Sequence, residues 1–229
     1  MRSALIVSAT RTPIGSFQGQ LSSLSAMRLG SIAIAAAVKN APGAQVDEVI
    51  MGNVLAAGLG QAPARQASLG AGLSQSSACT TINKSCGSGL KAVMLAAQAI
   101  SAGDADCVVA GGTESMSNAP YLLSKARHGY RLGHGELIDS LIKDGLWDVY
   151  NNFHMGEAAE LCTSNLNISR TVQDEFAAES YRRAQQAQAH GDVRREIVVV
   201  PVTGPGKVTP TRSVPIASVV VRSRLLGGY

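Results

Sequence analysis

Short apolar runs alternate with stretches of helical periodicity along most of the chain. Residues 4–9 form an apolar run closed by Arg11-Thr12-Pro13, the pattern of a buried strand followed by a turn. Ala26, Leu29, Ile32, Ala33 and Ala36 recur at helical spacing behind Ser25, a candidate N-cap, and Asn40-Ala41-Pro42-Gly43 stops the helix. Residues 46–54 predict a second strand and 62–72 a short helix. Residues 78–83 predict a strand that feeds a turn and then a long apolar helix opened by Cys86. Gly103-Asp104 breaks that helix before a strand over 106–110. The helix is apolar on nearly every side (Val93, Met94, Leu95, Ala96, Ala97, Ala99, Ile100), so an interior position is expected. Alternation of strands and helices predicts an α/β architecture.

From residue 117 the pattern changes. Charged and irregular residues run to 152, punctuated by Gly129, Gly133, Gly135 and Gly145. A helix is predicted over 171–190, with Thr171 and Asp174 in the S/T-x-x-D/E capping pattern and Gly191 as its end. Residues 196–202 read as a strand.

Composition narrows the class. With 229 residues and 45% hydrophobic content, a sizeable core is expected in one or two domains. The net charge of +4 is uneven: residues 1–181 carry −2 and residues 182–229 carry +6. The basic end has no aromatic interleaving, so nucleic acid is not an expected partner; the positive charge is a solvated end or a contact for the phosphates of an anionic cofactor. Cys79, Cys86, Cys107 and Cys162 show neither a C-x-x-C pair nor metal-ligand spacing. Reduced thiols, no metal, no membrane span, no signal peptide and a cytoplasmic location are the expectations.

Cys86 is the candidate nucleophile. At the first turn of a helix, a sulfur meets unpaired N–H groups and the positive end of the macrodipole, which stabilise a thiolate. Gly87 and Gly89 leave room for an acyl group. Position alone does not separate this from a buried structural cysteine. Among the histidines, His128 and His134 lie in the irregular stretch, His134 reading as surface, and His190 stands near a helix C-terminus, where the dipole favours it. By residue pattern alone His154 is a packed or solvent-facing imidazole.

The segment Asn83-Lys84-Ser85-Cys86-Gly87-Ser88-Gly89-Leu90-Lys91-Ala92 resembles the acyl-enzyme cysteine motif of the thiolases. Four further segments resemble that family in the same order: Ile6 to Phe17, Gly52 to Ala67, Ala110 to Pro120 and His154 to Glu160. The chain is thus identified as a member of the thiolase family, of the type most like the acetyl-CoA C-acetyltransferases. The resemblance implies a thiolase-like N-terminal half: a layered αβα core with a mixed sheet, plus an inserted, partly irregular region that covers the coenzyme A. It implies a core over 1–116, a partial covering region over 117–211 and an atypical tail over 212–229. It gives Cys86 the role of acyl-thioester nucleophile and His154 and Met155 that of lining the acyl and pantetheine pocket. Acyl-CoA and CoA are the implied substrates, with no redox cofactor or metal. A homodimer or tetramer is implied, with residues 78–83 near the dimer contact.

The sequence also departs from the family. Its Asn-Glu-Ala-Phe, Gly-His-Pro and Cys-x-Gly-Gly-Gly segments, which the family's mechanism uses for the oxyanion hole, cysteine activation and proton transfer, do not occur here. Beyond Arg212 the resemblance ends, so a truncated or altered end is expected, without the strand that completes the family's first sheet. Val219-Val220-Val221 then reads as an aggregation-prone segment. Two alternatives stay open. One is a catalytically incomplete half-thiolase acting as a folded or partner-binding fragment. The other is a Rossmann-type reductase, because Gly87 to Ala92 also fits G-x-G-x-x-A, although no acidic residue ends the next strand.

Overall fold

A computed structural model describes residues 2–202, 207–208 and 217–223. In chain order the elements are β1 (Ala4–Arg11), α1 (Ala26–Lys39), β2 (Glu48–Gly52), α2 (Pro63–Gly70), β3 (Ala78–Ile82), α3 (Ser88–Ala102) and β4 (Cys107–Gly112). There follow β5 (Tyr121–Leu123), β6 (Leu137–Asp139), a π-helical turn (Leu141–Leu146), β7 (Trp147–Asp148), β8 (Phe153–His154), α4 (Met155–Asn165) and α5 (Arg170–His190). Three strands come last: β9 (Val200–Pro201), β10 (Lys207–Val208) and β11 (Ala217–Ser223). Two compact units result, one from residues 1–120 with 196–229 and the other from 121–195. These boundaries differ from the expected 116/117 and 211/212.

The first unit holds a five-stranded mixed sheet in the order β1-β11-β4-β2-β3. Strands β4, β2 and β3 are parallel, whereas β11 runs antiparallel to both of its neighbours. Alternating side chains sort onto the two faces. Val49, Met51, Val109 and Val220 pack against Ile34 and Ala37 of α1 and Ala64 and Ala67 of α2. Ile50, Val108, Ala110 and Val221 pack against Ala92, Ala96 and Ile100 of α3. The outcome is the layered α/β core the sequence predicts. Each Val or Ile fully buried there contributes about 1.5–3 kcal/mol.

The helix ends follow local chemistry. Ser25 is extended at φ −68°, ψ 157°, and its hydroxyl accepts from the Arg28 N–H. Gly103 ends α3 at φ +91°, a conformation that carries no Cβ penalty for glycine.

Three expectations are corrected here. The strand expected to be missing is present, since residues 217–223 occupy the interior of the sheet between β1 and β4. Val220 and Val221 are buried there, so the valine run is a paired core strand and not an open edge. Positions 212–216 and 224–229 of the expected tail lie outside the described residues. Second, α3 is not interior on all sides: Leu90 and Met94 stay exposed, because the helix turns the stripe Ala92, Ala96 and Ile100 into the core. Third, α5 is capped by Ser169 and not by Thr171. The Ser169 hydroxyl accepts from the Val172 N–H, while Asp174 is engaged by Arg170 at 2.8 Å.

The second unit contains two short hairpins, β5–β6 and β7–β8, and the helices α4 and α5. Among its described residues only Ser140 is buried. Gly191 ends α5 in the left-handed region, as its sequence position predicts. His134 is exposed, as expected, and so are His128 and His190.

Candidate active site

The parallel strands β2, β3 and β4 deliver three chain segments to one end of the sheet, their carboxyl ends, where open α/β sheets present their chemistry. Backbone bonds tie the segments together: Asn53 N–H donates to Ile82 O at 3.0 Å and Thr113 N–H to Gly52 O at 2.9 Å. The strand β3 then leaves the sheet, turns sharply, and re-enters as α3.

Cys86 occupies that turn and is exposed. Ser85, the residue before it, sits at φ +47°, in the left-handed region that non-glycine residues seldom adopt. Gly87 N–H donates to Lys84 O at 3.1 Å and Ser88 N–H to Ser85 O at 3.1 Å, which closes the turn. The helix begins at Ser88 with Gly87 as its cap, so Cys86 precedes the cap and does not lie in the first helical turn as expected. Two glycine-permitted approaches seat α3 on the sheet ends. A Cβ on Gly52 would lie 2.6 Å from Ser88 Cβ, and one on Gly112 would lie 3.4 Å from Gly89 Cα.

Beside this turn lies a polar cluster that sequence reasoning missed. Glu114 Oε1 accepts from the side-chain amide of Asn53 at 2.8 Å and from Leu55 N–H at 3.2 Å; Oε2 accepts from Val54 N–H at 2.8 Å. Burial pushes the Glu114 carboxyl above its ordinary range, opposed by the bonds from Val54, Leu55 and Asn53. Thr113 donates its hydroxyl to Ala26 O, which joins the cluster to α1. Glu114 also lines a cavity of about 250 Å³ with Pro13, Phe17, Leu21, Leu29 and Met116. Cys86 is not among the residues lining that cavity.

His154 and Met155 belong to the other unit. His154 ends β8 and caps α4, its Nδ1 accepting from Gly156 N–H at 3.0 Å. It is half-buried, and Met155 is 41% exposed. The three candidate residues therefore divide between the units: Cys86 stands on the sheet unit, and the His-Met pair on the unit of 121–195. Of the other cysteines, Cys107 is buried in β4, where desolvation and the Asp47 carboxylate push its thiol up. Among the described residues no group of three His, Cys, Asp or Glu side chains is disposed to hold a metal ion.

Residues 4–215 match the family model described as thiolase, N-terminal domain. The chain is 57% identical over 205 residues to acetyl-CoA acetyltransferase 2 of Arabidopsis thaliana, covering 89% of this chain and 51% of that protein. It is 54% identical over 202 residues to the acetyl-CoA acetyltransferase of Cupriavidus necator, covering 87% and 51%. With the mitochondrial acetyl-CoA acetyltransferase of Homo sapiens it shares 52% identity over 209 residues, covering 90% and 48%. The chain spans about half the length of the curated relatives it matches.

Proposed function

Because the chain belongs to the thiolase family, we propose that Cys86 accepts an acyl group from an acyl-CoA thioester. The observation that carries this is that Cys86 is exposed, in the strand–turn–helix at the carboxyl ends of the parallel strands β2, β3 and β4. In the proposed step the Cys86 thiolate attacks the thioester carbonyl. A new sulfur–carbon bond forms, the bond to the CoA sulfur breaks, and CoA leaves with the electron pair as its thiolate. The acyl-cysteine then passes its acyl group to the carbanion of a second acetyl-CoA, or is itself formed by thiolysis of a 3-ketoacyl-CoA. His154 and Met155 line the acyl and pantetheine pocket in this scheme. The scheme calls for no redox cofactor and no metal, and it takes place in a homodimer or tetramer. A cytoplasmic site of action is proposed with it, although the similar proteins include mitochondrial forms.

Incubation with radiolabelled acetyl-CoA tests the acyl-cysteine. Label is expected to survive denaturation of the chain and to vanish in Cys86→Ser. Label that persists in Cys86→Ser would overturn the assignment. A second reading, acylation without turnover, is favoured by one observation: the segments that supply cysteine activation and proton transfer in the family do not occur in these 229 residues. Loss of a group that cooperates with a nucleophile lowers rates by orders of magnitude. Adding free CoA and acetoacetyl-CoA separates the two readings, since steady release of acetyl-CoA occurs only under the first.

A further inference from the structure

The turn that presents Cys86 is bridged from the far side by one side chain. Ser88, 5% exposed, donates its hydroxyl to Ser85 O at 2.6 Å and accepts from Lys84 N–H at 2.8 Å. The hydroxyl thus binds the two residues before Cys86 while belonging to the first residue of α3. Its lock on the turn is reinforced at both ends. Asn83 Oδ1 accepts from Ser85 N–H at 2.9 Å, which helps hold Ser85 in its left-handed conformation. Gly52 lies directly beneath, so close that an added Cβ would meet Ser88 Cβ at 2.6 Å and Ser88 C at 2.7 Å. Ser88 therefore packs closely between the end of β2 and the turn.

We infer that Ser88 is the positioning residue of the Cys86 turn. Its hydroxyl serves as the partner of Lys84 N–H and ties down Ser85 O, which fixes the backbone on the amino side of Cys86. An alanine at 88 leaves the Lys84 N–H and one lone pair of Ser85 O without this partner. Ser85 then loses one of the bonds that hold its strained conformation, and the direction of Cys86 is less firmly set. A misplaced nucleophile remains a nucleophile toward small mobile reagents, but it loses rate toward a substrate that must dock in one pose. Ser88 itself touches no reacting atom. This role rests on the proposal that Cys86 is an acyl acceptor.

The test compares the full chain with Ser88→Ala by three measurements. Transfer of label from acetyl-CoA to Cys86 is expected to fall on the order of a hundredfold in the variant. Alkylation of Cys86 by iodoacetamide is expected to stay close to that of the unsubstituted chain. Cys107, buried in β4, serves as the folding control and is expected to remain unreactive in both. Acylation that is unchanged in a folded Ser88→Ala chain overturns the inference. Should Cys107 become reactive in the variant, the amide exchange of the unsubstituted chain decides. The Lys84 amide is expected to exchange at least about tenfold more slowly than an unstructured peptide reference, the worth of one hydrogen bond. Exchange at the reference rate overturns the bridge. Absence of label from the unsubstituted chain sinks the acyl-acceptor assignment and Ser88's role in acylation with it, whereas slow Lys84 exchange in that case upholds the hydroxyl bridge alone.

Discussion

The two units of this chain are built on opposite terms. The sheet unit encloses fully buried side chains on both faces, Val49, Met51 and Val109 on one and Val108, Ala110 and Ile100 on the other. The unit of 121–195 has no buried hydrophobic residue among those described, and Leu132, Tyr150, Phe176 and Tyr181 are all exposed. Its helices are held by local devices instead: the His154 and Ser169 caps, the Gly191 stop, and the ion pairs Arg170–Asp174 and Glu179 with Arg182 and Arg183. A cap contributes about 1 kcal/mol and the exposed ion pairs are screened by solvent, whereas burial of one core side chain contributes about 1.5–3 kcal/mol. Cys86 stands on the first kind of structure and the His-Met pair on the second. The proposed nucleophile is carried by a well-packed frame, and the residues proposed to contact the acyl chain by a locally stabilised one.

Core truncation should separate the units most. Ile100→Ala is expected to destabilise the sheet unit by about 2–5 kcal/mol, and Phe176→Ala in α5 to stay within about 0.5 kcal/mol. Urea unfolding followed by circular dichroism reads both; equal losses would erase the contrast. Gly52→Ala comes next, at about 1–3 kcal/mol, because the added methyl meets backbone atoms of Ser88 and Gly89 that cannot give way. A variant as stable as the parent would show that α3 can slide off the sheet end.

Cap removal is a finer probe. Ser25→Ala and Ser169→Ala each delete the same kind of hydrogen bond, worth about 1 kcal/mol to its helix. In native-state hydrogen exchange, the first should lower the opening free energy of the sheet unit, and the second that of α5 alone. A Ser169→Ala effect on β4 amides would mean that the two units unfold together.

The smallest expected effect is electrostatic. Arg182 and Arg183 hold the Glu179 carboxyl down at about 2, well below its ordinary 4.5. A depressed carboxyl contributes stability that is whole above the unfolded value and is lost as pH falls through the folded one. The helicity of α5 should therefore decline between about pH 4.5 and 2, less so in high salt, and Glu179→Gln should remove that part of the decline. A decline that is identical in the variant would assign it to other carboxyls.

Much of the frame was legible because it is written in local chemistry. The period of Ala26 to Ala36, the Ser25 cap, and the glycines at 103 and 191 each fix an element without reference to the rest of the chain. What escaped depends on partners distant in sequence. The strand β11 carries no family resemblance at the level of residues, and only its two neighbours in the sheet give it a place. The exposed side of α3 cannot be read from an all-apolar sequence, because which stripe is buried depends on what packs there. In the candidate site, Cys86 was found through its motif. The Glu114–Asn53 cluster was not, since its bonds run between loops sixty residues apart. Ser88 lay in plain view inside the motif, but its hydroxyl acquires partners only once Ser85 turns left-handed.

The position of β11 also sets a schedule for synthesis. The strand β1 is made well before β11, yet in the sheet Ala4 pairs with Ser223. Until β11 emerges, β1 lacks its ladder partner and β4 lacks one of its two. Pairings so distant along the chain form slowly, and unpaired edges attract other chains in the meantime. Those two edges stay open to other chains until β11 joins them.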